Sequence, residues 1–193
     1  MKPKVVGVLA LQGAFAKHIE MLHHLHAKTI EVRKPADLAQ CDALIIPGGE
    51  STTMMKQMNF IQFHEAFRQF AKHKPVFGTC AGLILMSQEI LGDPMQPFGL
   101  LDVSVERNAF GRQVESFHIT LAVDMGLSKS HPIDAIFIRA PRIRRVGEGV
   151  QVLSVYEEEP VIVQQGMHLG VTFHPELTHD ASIHAYFLRQ IPT

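Results

Sequence analysis

Short apolar runs alternate with helix-period stripes through the first half of the chain, and no other feature limits its fold so tightly. Val5–Leu11, Thr29–Arg33, Ala43–Ile46 and Pro75–Gly78 are brief and bounded by Gly, Pro or polar residues, as buried strands are. Between them Phe15, Ile19, Leu22 and Leu25 fall at spacings of four, three and three, and Phe60, Phe63, Phe67 and Phe70 at three, four and three. Each set would line one side of a helix. This alternation predicts an α/β fold, an open, mostly parallel sheet flanked by helices on both faces, with any site at the carboxyl ends of the strands. From Leu100 to Phe173 the rhythm changes to Val114–Val123, Ala135–Ile138, Val150–Val155, Val161–Gln165 and Leu169–Phe173, with few helical patterns between them. These runs predict additional antiparallel strands at the sheet edge or in a small layer beside the core. A last helix is expected over about Glu176–Arg189, with Ile183, Phe187 and Ile191 as its apolar edge. No repeat or linker divides the chain, so residues 1–193 read as one domain.

Charge and composition exclude several classes. Lys and Arg total 18 against 19 Asp and Glu, so no surface for a polyanion is indicated and nucleic acid is not expected as a partner. Hydrophobic residues make up 46% of the chain, which argues against disorder. The apolar stretch Val5–Leu11 is too short to span a membrane and lacks a clear cleavage site, so a cytoplasmic protein is expected. The two cysteines, Cys41 and Cys80, make no disulfide framework, and each needs its own explanation.

Cys80 sits in Lys74-Pro-Val-Phe-Gly-Thr-Cys-Ala-Gly-Leu83, where an expected strand runs into a helical stretch, Leu83–Ile90. A sharp strand-to-helix turn would project this one side chain from the end of the sheet, and the small residues Gly78, Ala81 and Gly82 would keep neighbouring atoms away. The start of the helix favours a thiolate, and the Ala81 N–H is placed to donate to an oxyanion. Most unpaired cysteines are small core residues, but a core-filling thiol has no need of a tight turn on both sides. Cys41 has no such turn and is expected to be structural.

A thiol nucleophile needs a base, and twelve histidines are available. Val171-Thr-Phe-His-Pro-Glu176 places His174 where a strand ends and the last helix is expected to begin, with Glu176 two residues on. Imidazole can take the thiol proton while the carboxylate orients the ring. The plain alternative is a surface turn histidine with a first-turn carboxylate. A third segment, Ala43-Leu-Ile-Ile-Pro-Gly-Gly-Glu-Ser-Thr52, ends a strand in two glycines that let the backbone approach a ligand. Gly49 is expected to supply the second oxyanion donor, and Gly48, Gly49 and Glu50 to contact a bound amino acid. An ordinary turn with Ser51 or Thr52 capping the next helix is the alternative.

The order P-G-G-E-S, G-T-C-A-G, F-H-P-E resembles the class I, or triad, glutamine amidotransferases. A-L-Q-G-A at 10–14, G-G-E-S-T-T at 48–53, V-E-R-N-A-F-G-R-Q at 105–113, F-I-R-A-P at 137–141 and F-H-P-E-L-T at 173–178 are similar to the glutaminase subunits of pyridoxal 5′-phosphate synthase. The resemblance implies a Cys80–His174–Glu176 triad that hydrolyses L-glutamine to glutamate and ammonia. It implies glutamine contacts from Gly48, Gly49, Glu50, Arg107, Ile138 and Arg139, and a contribution of Gln12 to the oxyanion site when a partner docks. A guanidinium can fork onto the substrate α-carboxylate, which gives Arg107 a physical role beside the alternative of a surface ion pair. The implied partner is the synthase subunit, in a hetero-oligomeric complex that receives the ammonia. No cofactor and no metal are implied.

His18, His23, His24 and His26 invite a metal reading, but only His23 and His26 share a helix face at three-residue spacing, so a solvated face is expected instead. Two other functions use the same motifs. One is a cysteine hydrolase acting on γ-glutamyl bonds; the other is an amino-acid sensor with an idle triad.

Overall fold

Strands that are apolar on both faces must be covered on both, and the chain meets this demand with one twisted sheet between two helical layers. The structure, a computed structural model, describes residues 4–107, 116–125 and 131–192. Its elements are β1 (Val5–Leu9), α1 (Phe15–His24), β2 (Lys28–Val32), β3 (Ala43–Ile46), α2 (Ser51–Phe60), α3 (His64–Ala71), β4 (Val76–Thr79), α4 (Ala81–Met86), β5 (Ser87–Ile90), β6 (Leu101–Glu106), β7 (Ser116–Val123), β8 (His131–Ile138), β9 (Arg142–Val146), β10 (Gln151–Tyr156), β11 (Glu159–Gln165), β12 (His168–Val171) and α5 (Ser182–Arg189). Short 3₁₀ turns cover Pro35–Gln40 and Pro175–Leu177.

The main sheet has the order β10-β11-β12-β4-β3-β1-β2. From β12 to β2 every pairing is parallel, whereas β11 and β10 add antiparallel strands at one edge. A β7-β8 pair and the β6-β9 pairing are further antiparallel additions, whereas β5 joins β6 in parallel to make a mixed three-stranded sheet β5-β6-β9. Alternate residues of each central strand enter opposite cores. Leu44 and Ile46 of β3 join Met54, Phe67 and Leu83 on one face, and Ala43 and Ile45 join Leu22, Phe137 and Phe187 on the other. The same alternation sends Phe77 of β4 to the α1/α5 face. Thr79, two residues on, points that way too and bonds to a histidine of α1.

Three expectations about elements need correction. Phe60 does not continue the aromatic stripe: α2 ends there, Gln62 turns the chain with φ 54°, and Phe60 is 89% exposed while Phe63, Phe67 and Phe70 are buried. The spacing ran unbroken across a turn between two helices. The helix after Cys80 stops at Met86 instead of reaching Ile90. Ser87 becomes extended, its hydroxyl donates to the Ile84 carbonyl at 2.8 Å, and Ser87–Ile90 pairs with β6. The last helix begins at Ser182, and Glu176 lies instead in the separate turn Pro175–Leu177. Strands β6 and β9 fall where no run was singled out, and residues 108–113 of the 105–113 segment lie outside the described residues.

Candidate active site

The carboxyl ends of four adjacent strands, β12, β4, β3 and β1, carry the segments singled out above. Cys80 directly follows β4 with φ 48° and ψ −104° and caps α4. Such a backbone costs on the order of 1–3 kcal/mol in a residue with a Cβ and persists only where its surroundings hold it. They do so here: the Cys80 N–H donates to the Val171 carbonyl at 2.9 Å, and the Ile84 N–H donates to the Cys80 carbonyl at 3.2 Å. The helix can start this abruptly because it lies directly on β3. A Cβ on Gly82 would come within 2.0 Å of the Ile46 carbonyl oxygen.

His174 leaves β12 and is pinned by its N–H donating to the Ile136 carbonyl of β8 at 2.8 Å. Its Nδ1 lies 2.7 Å from Oε1 of Glu176, and both side chains are buried. The other side of the ring faces the Cys80 sulfur. Burial alone would lower the His174 pKa, but the hydrogen bonds to Cys80 and Glu176, with the negative charge on each, raise it to about 10. Burial would likewise raise the Glu176 carboxyl; the pull of His18 and the bond from His174 overcome it and hold the group below the ordinary carboxylate range. A histidine held between a carboxylate and a cysteine is an arrangement that can move a proton to and from a sulfur nucleophile.

A cavity of about 430 Å³ opens over the sulfur. Of the residues expected to contact substrate or oxyanion, Gly49, Glu50, Ala81, Arg107, Ile138 and Arg139 line it. Gly48 and Gln12 stand behind that wall. Gly48 lets the His174 ring close in, since a Cβ there would meet Cε1 at 2.3 Å. Gln12 packs on Gly49 and donates from Nε2 to the Glu50 carbonyl at 2.9 Å. A slightly larger cavity of about 480 Å³ lies behind Glu176, between α1 and residues 177–181, but Cys80 does not line it.

Chain and family can now be joined. A family described as SNO glutamine amidotransferase matches residues 8–193. The chain belongs to that family. A Thermus thermophilus protein named pyridoxal 5′-phosphate synthase subunit PdxT is 53% identical over 187 residues, covering 95% of this chain and 96% of its own. One of the same name from Niallia circulans is 51% identical over 187 residues, covering 96% and 97%. A crystal structure of a glutamine amidotransferase superposes with a TM-score of 0.90 at 48% identity, covering 96% of this chain and 98% of that one.

Two details of this amidotransferase differ from the motif reading. Neither Ser51 nor Thr52 caps α2; the Glu50 carboxylate does, accepting from the Thr52 N–H at 3.0 Å, the Thr53 N–H at 2.7 Å and the Thr53 hydroxyl at 2.6 Å. The Thr53 hydroxyl bond is the largest cause that holds Glu50 down at about 2, against the opposing push of burial. Arg107 reaches the cavity wall already engaged, donating from Nη1 to Ser51 Oγ and Thr52 Oγ1, each at 2.9 Å, and from Nη2 to Asp93. Ser51, Thr52 and Ile84 also line the cavity and were not among the expected substrate contacts.

His18 was grouped with a solvated face, and that expectation fails. His23, His24 and His26 are exposed, but His18 is fully buried, 3.5 Å from Glu176 Oε2 and 2.8 Å from His184, which is also buried. Its spacing carried the signal: His18 lies three residues after Phe15 and four before Leu22, on the inward stripe of α1. Cys41 fills the core beneath β1, its thiol pushed up to about 11 chiefly by burial.

Proposed function

We propose that Cys80, His174 and Glu176 are the triad with which this glutamine amidotransferase hydrolyses L-glutamine, and that the ammonia goes to the synthase subunit of pyridoxal 5′-phosphate synthase. The observation that carries the reading is the strained Cys80 facing a ring that Glu176 holds at 2.7 Å, beneath a cavity of amino-acid size. The sulfur attacks the side-chain carbonyl carbon, and charge moves onto its oxygen. N–H groups of Gly49 and Ala81 receive that oxyanion. His174 gives its proton to the departing nitrogen, ammonia leaves, and a thioester remains. The neutral ring then takes a proton from water, whose oxygen attacks the thioester; glutamate is released and the thiolate–imidazolium pair is restored.

Substrate recognition divides between backbone and guanidinium. Glu50 spends its carboxylate on the α2 cap, so its contact with glutamine runs through the backbone of Gly48–Glu50. Arg107 Nη1 stands at the cavity wall between two hydroxyls, where the substrate α-carboxylate adds a charged acceptor. Ile138 and Arg139 close the opposite side, with the Ile138 carbonyl 3.9 Å from the Cys80 sulfur. Gln12 joins the oxyanion site by exchanging its bond to Glu50 when the synthase docks.

The relatives named pyridoxal 5′-phosphate synthase subunit PdxT support the synthase as partner, and no described helix is long and apolar enough to cross a membrane. We place this hetero-oligomeric complex in the cytoplasm, with the whole chain acting as one glutaminase domain that uses neither cofactor nor metal. Glutamate release is the test, measured on the purified chain alone and after addition of the synthase from the same genome. Release that rises on addition supports the proposal; a stable complex that releases none, or a chain that forms no complex and cleaves γ-glutamyl peptides instead, refutes it.

A further inference from the structure

The triad accounts for one carboxylate oxygen of Glu176 and leaves the other unexplained. Oε1 receives the bond from His174, whereas Oε2 is fully buried and has no hydrogen-bond partner of ordinary length among the described residues. A buried carboxylate oxygen left bare is costly, so its surroundings carry information. Facing it at 3.5 Å is Nε2 of His18, which also lies 3.2 Å from Thr79 Oγ1. Behind that ring, His18 Nδ1 is 2.8 Å from Nε2 of His184. Phe77 presses on both imidazoles nearly edge-on, and both are fully buried.

We propose that His18, oriented by His184, is a positioning residue of the glutaminase whose Nε2–H points at the second carboxylate oxygen of Glu176 and holds the base pair from behind. This rests on the triad reading above, and the tautomers follow from the contacts. If His18 carried its proton on Nδ1, its Nε2 lone pair would face a carboxylate oxygen. His184 would then have to accept at Nε2 and carry its own proton on Nδ1, an atom that is buried without a partner among the described residues. The opposite choice removes both conflicts. His184 donates from Nε2 to His18 Nδ1, His18 presents Nε2–H to Glu176 Oε2 and Thr79 Oγ1, and the bare atom is a lone pair instead of an N–H.

Both imidazoles are neutral in this arrangement. Burial lowers His18, with Glu176 opposing and His174 adding to the effect, and burial beside His18 lowers His184 further still. The groups that face His18 are Glu176 on the 175–177 turn, His174 before it, Thr79 on β4 and His184 on α5. On its own helix Lys17, Glu20 and His24 border the cavity behind Glu176, together with His179. A dipole aimed at Oε2 stabilises the ionised carboxylate and fixes its plane, and with it the His174 ring.

Two measurements on the complex with the synthase decide the matter. Ring-nitrogen chemical shifts of ¹⁵N-labelled wild type should show His18 and His184 both neutral and both protonated at Nε2; a proton on Nδ1 of either ring overturns the proposal without any variant having to fold. Glutamate release by His18→Leu should show kcat reduced about tenfold to a hundredfold, the effect of one lost bond to a charged group, with KM nearly unchanged. Its acid limb should move to higher pH, because Glu176 protonates more easily without the donor. His18→Gln, whose amide N–H can replace Nε2–H, should restore the limb and most of kcat. A leucine variant with the wild-type limb, or a glutamine variant as impaired as the leucine one, contradicts the proposal. If wild-type complex releases no glutamate, the glutaminase reading fails, and the ring-nitrogen assignment still decides the role of His18.

Discussion

Cys80 and Cys41 are both buried thiols beside the same sheet, and the fold treats them oppositely. Cys41 is extended, with φ −99° and ψ 142°, and its sulfur rests 3.4 Å from the Asp37 carbonyl. A Cβ on Gly7 would meet that sulfur at 2.7 Å, so it plugs a gap in packing. Cys80 is forced into a positive φ at a strand end, borders a cavity and faces an imidazole. On the proposed reading, what separates an inert cysteine from a nucleophile is therefore neither burial nor residue type. The difference is where strain is accepted and which charge is brought alongside.

The comparison breaks most decisively under exchange of the two residues. In the synthase complex Cys80→Ala should lower glutamate release by at least about 10³-fold, because loss of a covalent nucleophile removes the reaction path. Cys41→Ala should leave that rate unchanged and cost about 1 kcal/mol in urea unfolding, the price of a small core cavity. Next in size, Glu176→Gln should reduce kcat by about 10²–10⁴-fold, since a neutral amide neither selects the His174 tautomer nor stabilises its cation. Steady-state kinetics on the complex measures it.

Gly48→Ala sharpens the contrast without touching any reacting atom. Its methyl would enter the His174 ring, and a shift of about 1 Å in a catalytic group costs on the order of 10²-fold in rate. The variant should lose kcat while its α2 cap and Cys41 packing remain, which circular dichroism and thiol titration would report.

A smaller effect appears as pH dependence. The His174 pKa rises from 6.5 unfolded to about 10 folded, so the folded state holds a proton the unfolded state loses. The stability this contributes is fully present below 6.5 and disappears as pH climbs through about 10. Urea unfolding of wild type and His174→Gln should therefore differ most below about pH 6.5 and converge in alkali.

How much of this was legible varied with the range of the interaction. The parallel sheet, the elbow at Cys80 and the H-P-E segment could be read because each is local: a period of two or near 3.6, or glycines flanking one residue. The Phe60 stripe misled because a two-helix turn preserved the spacing by accident, and only Gln62's positive φ breaks it. Leu83–Ile90 misled because Ile90 follows Met86 at the four-residue spacing of a helix, although Ser87, Gln88 and Glu89 between them already belong to β5. His18 was hidden for a different reason. Its exposed neighbours His23, His24 and His26 gave the helix a polar appearance, while its partners lie on β4, the 175–177 turn and α5, the last of them 166 residues away. The Glu50 cap was also obscured, because G-G-E-S-T-T offers three hydroxyls beside the carboxylate and propensity favours the hydroxyls.

The central claim is that the fold activates one sulfur and silences the other. Incubation of the synthase complex with a glutamine-analogue electrophile, followed by peptide mass spectrometry, tests it directly. The account predicts stoichiometric modification of Cys80 that free glutamine suppresses, with Cys41 untouched. Equal labelling of both thiols, or labelling of Cys80 that glutamine does not slow, would contradict it.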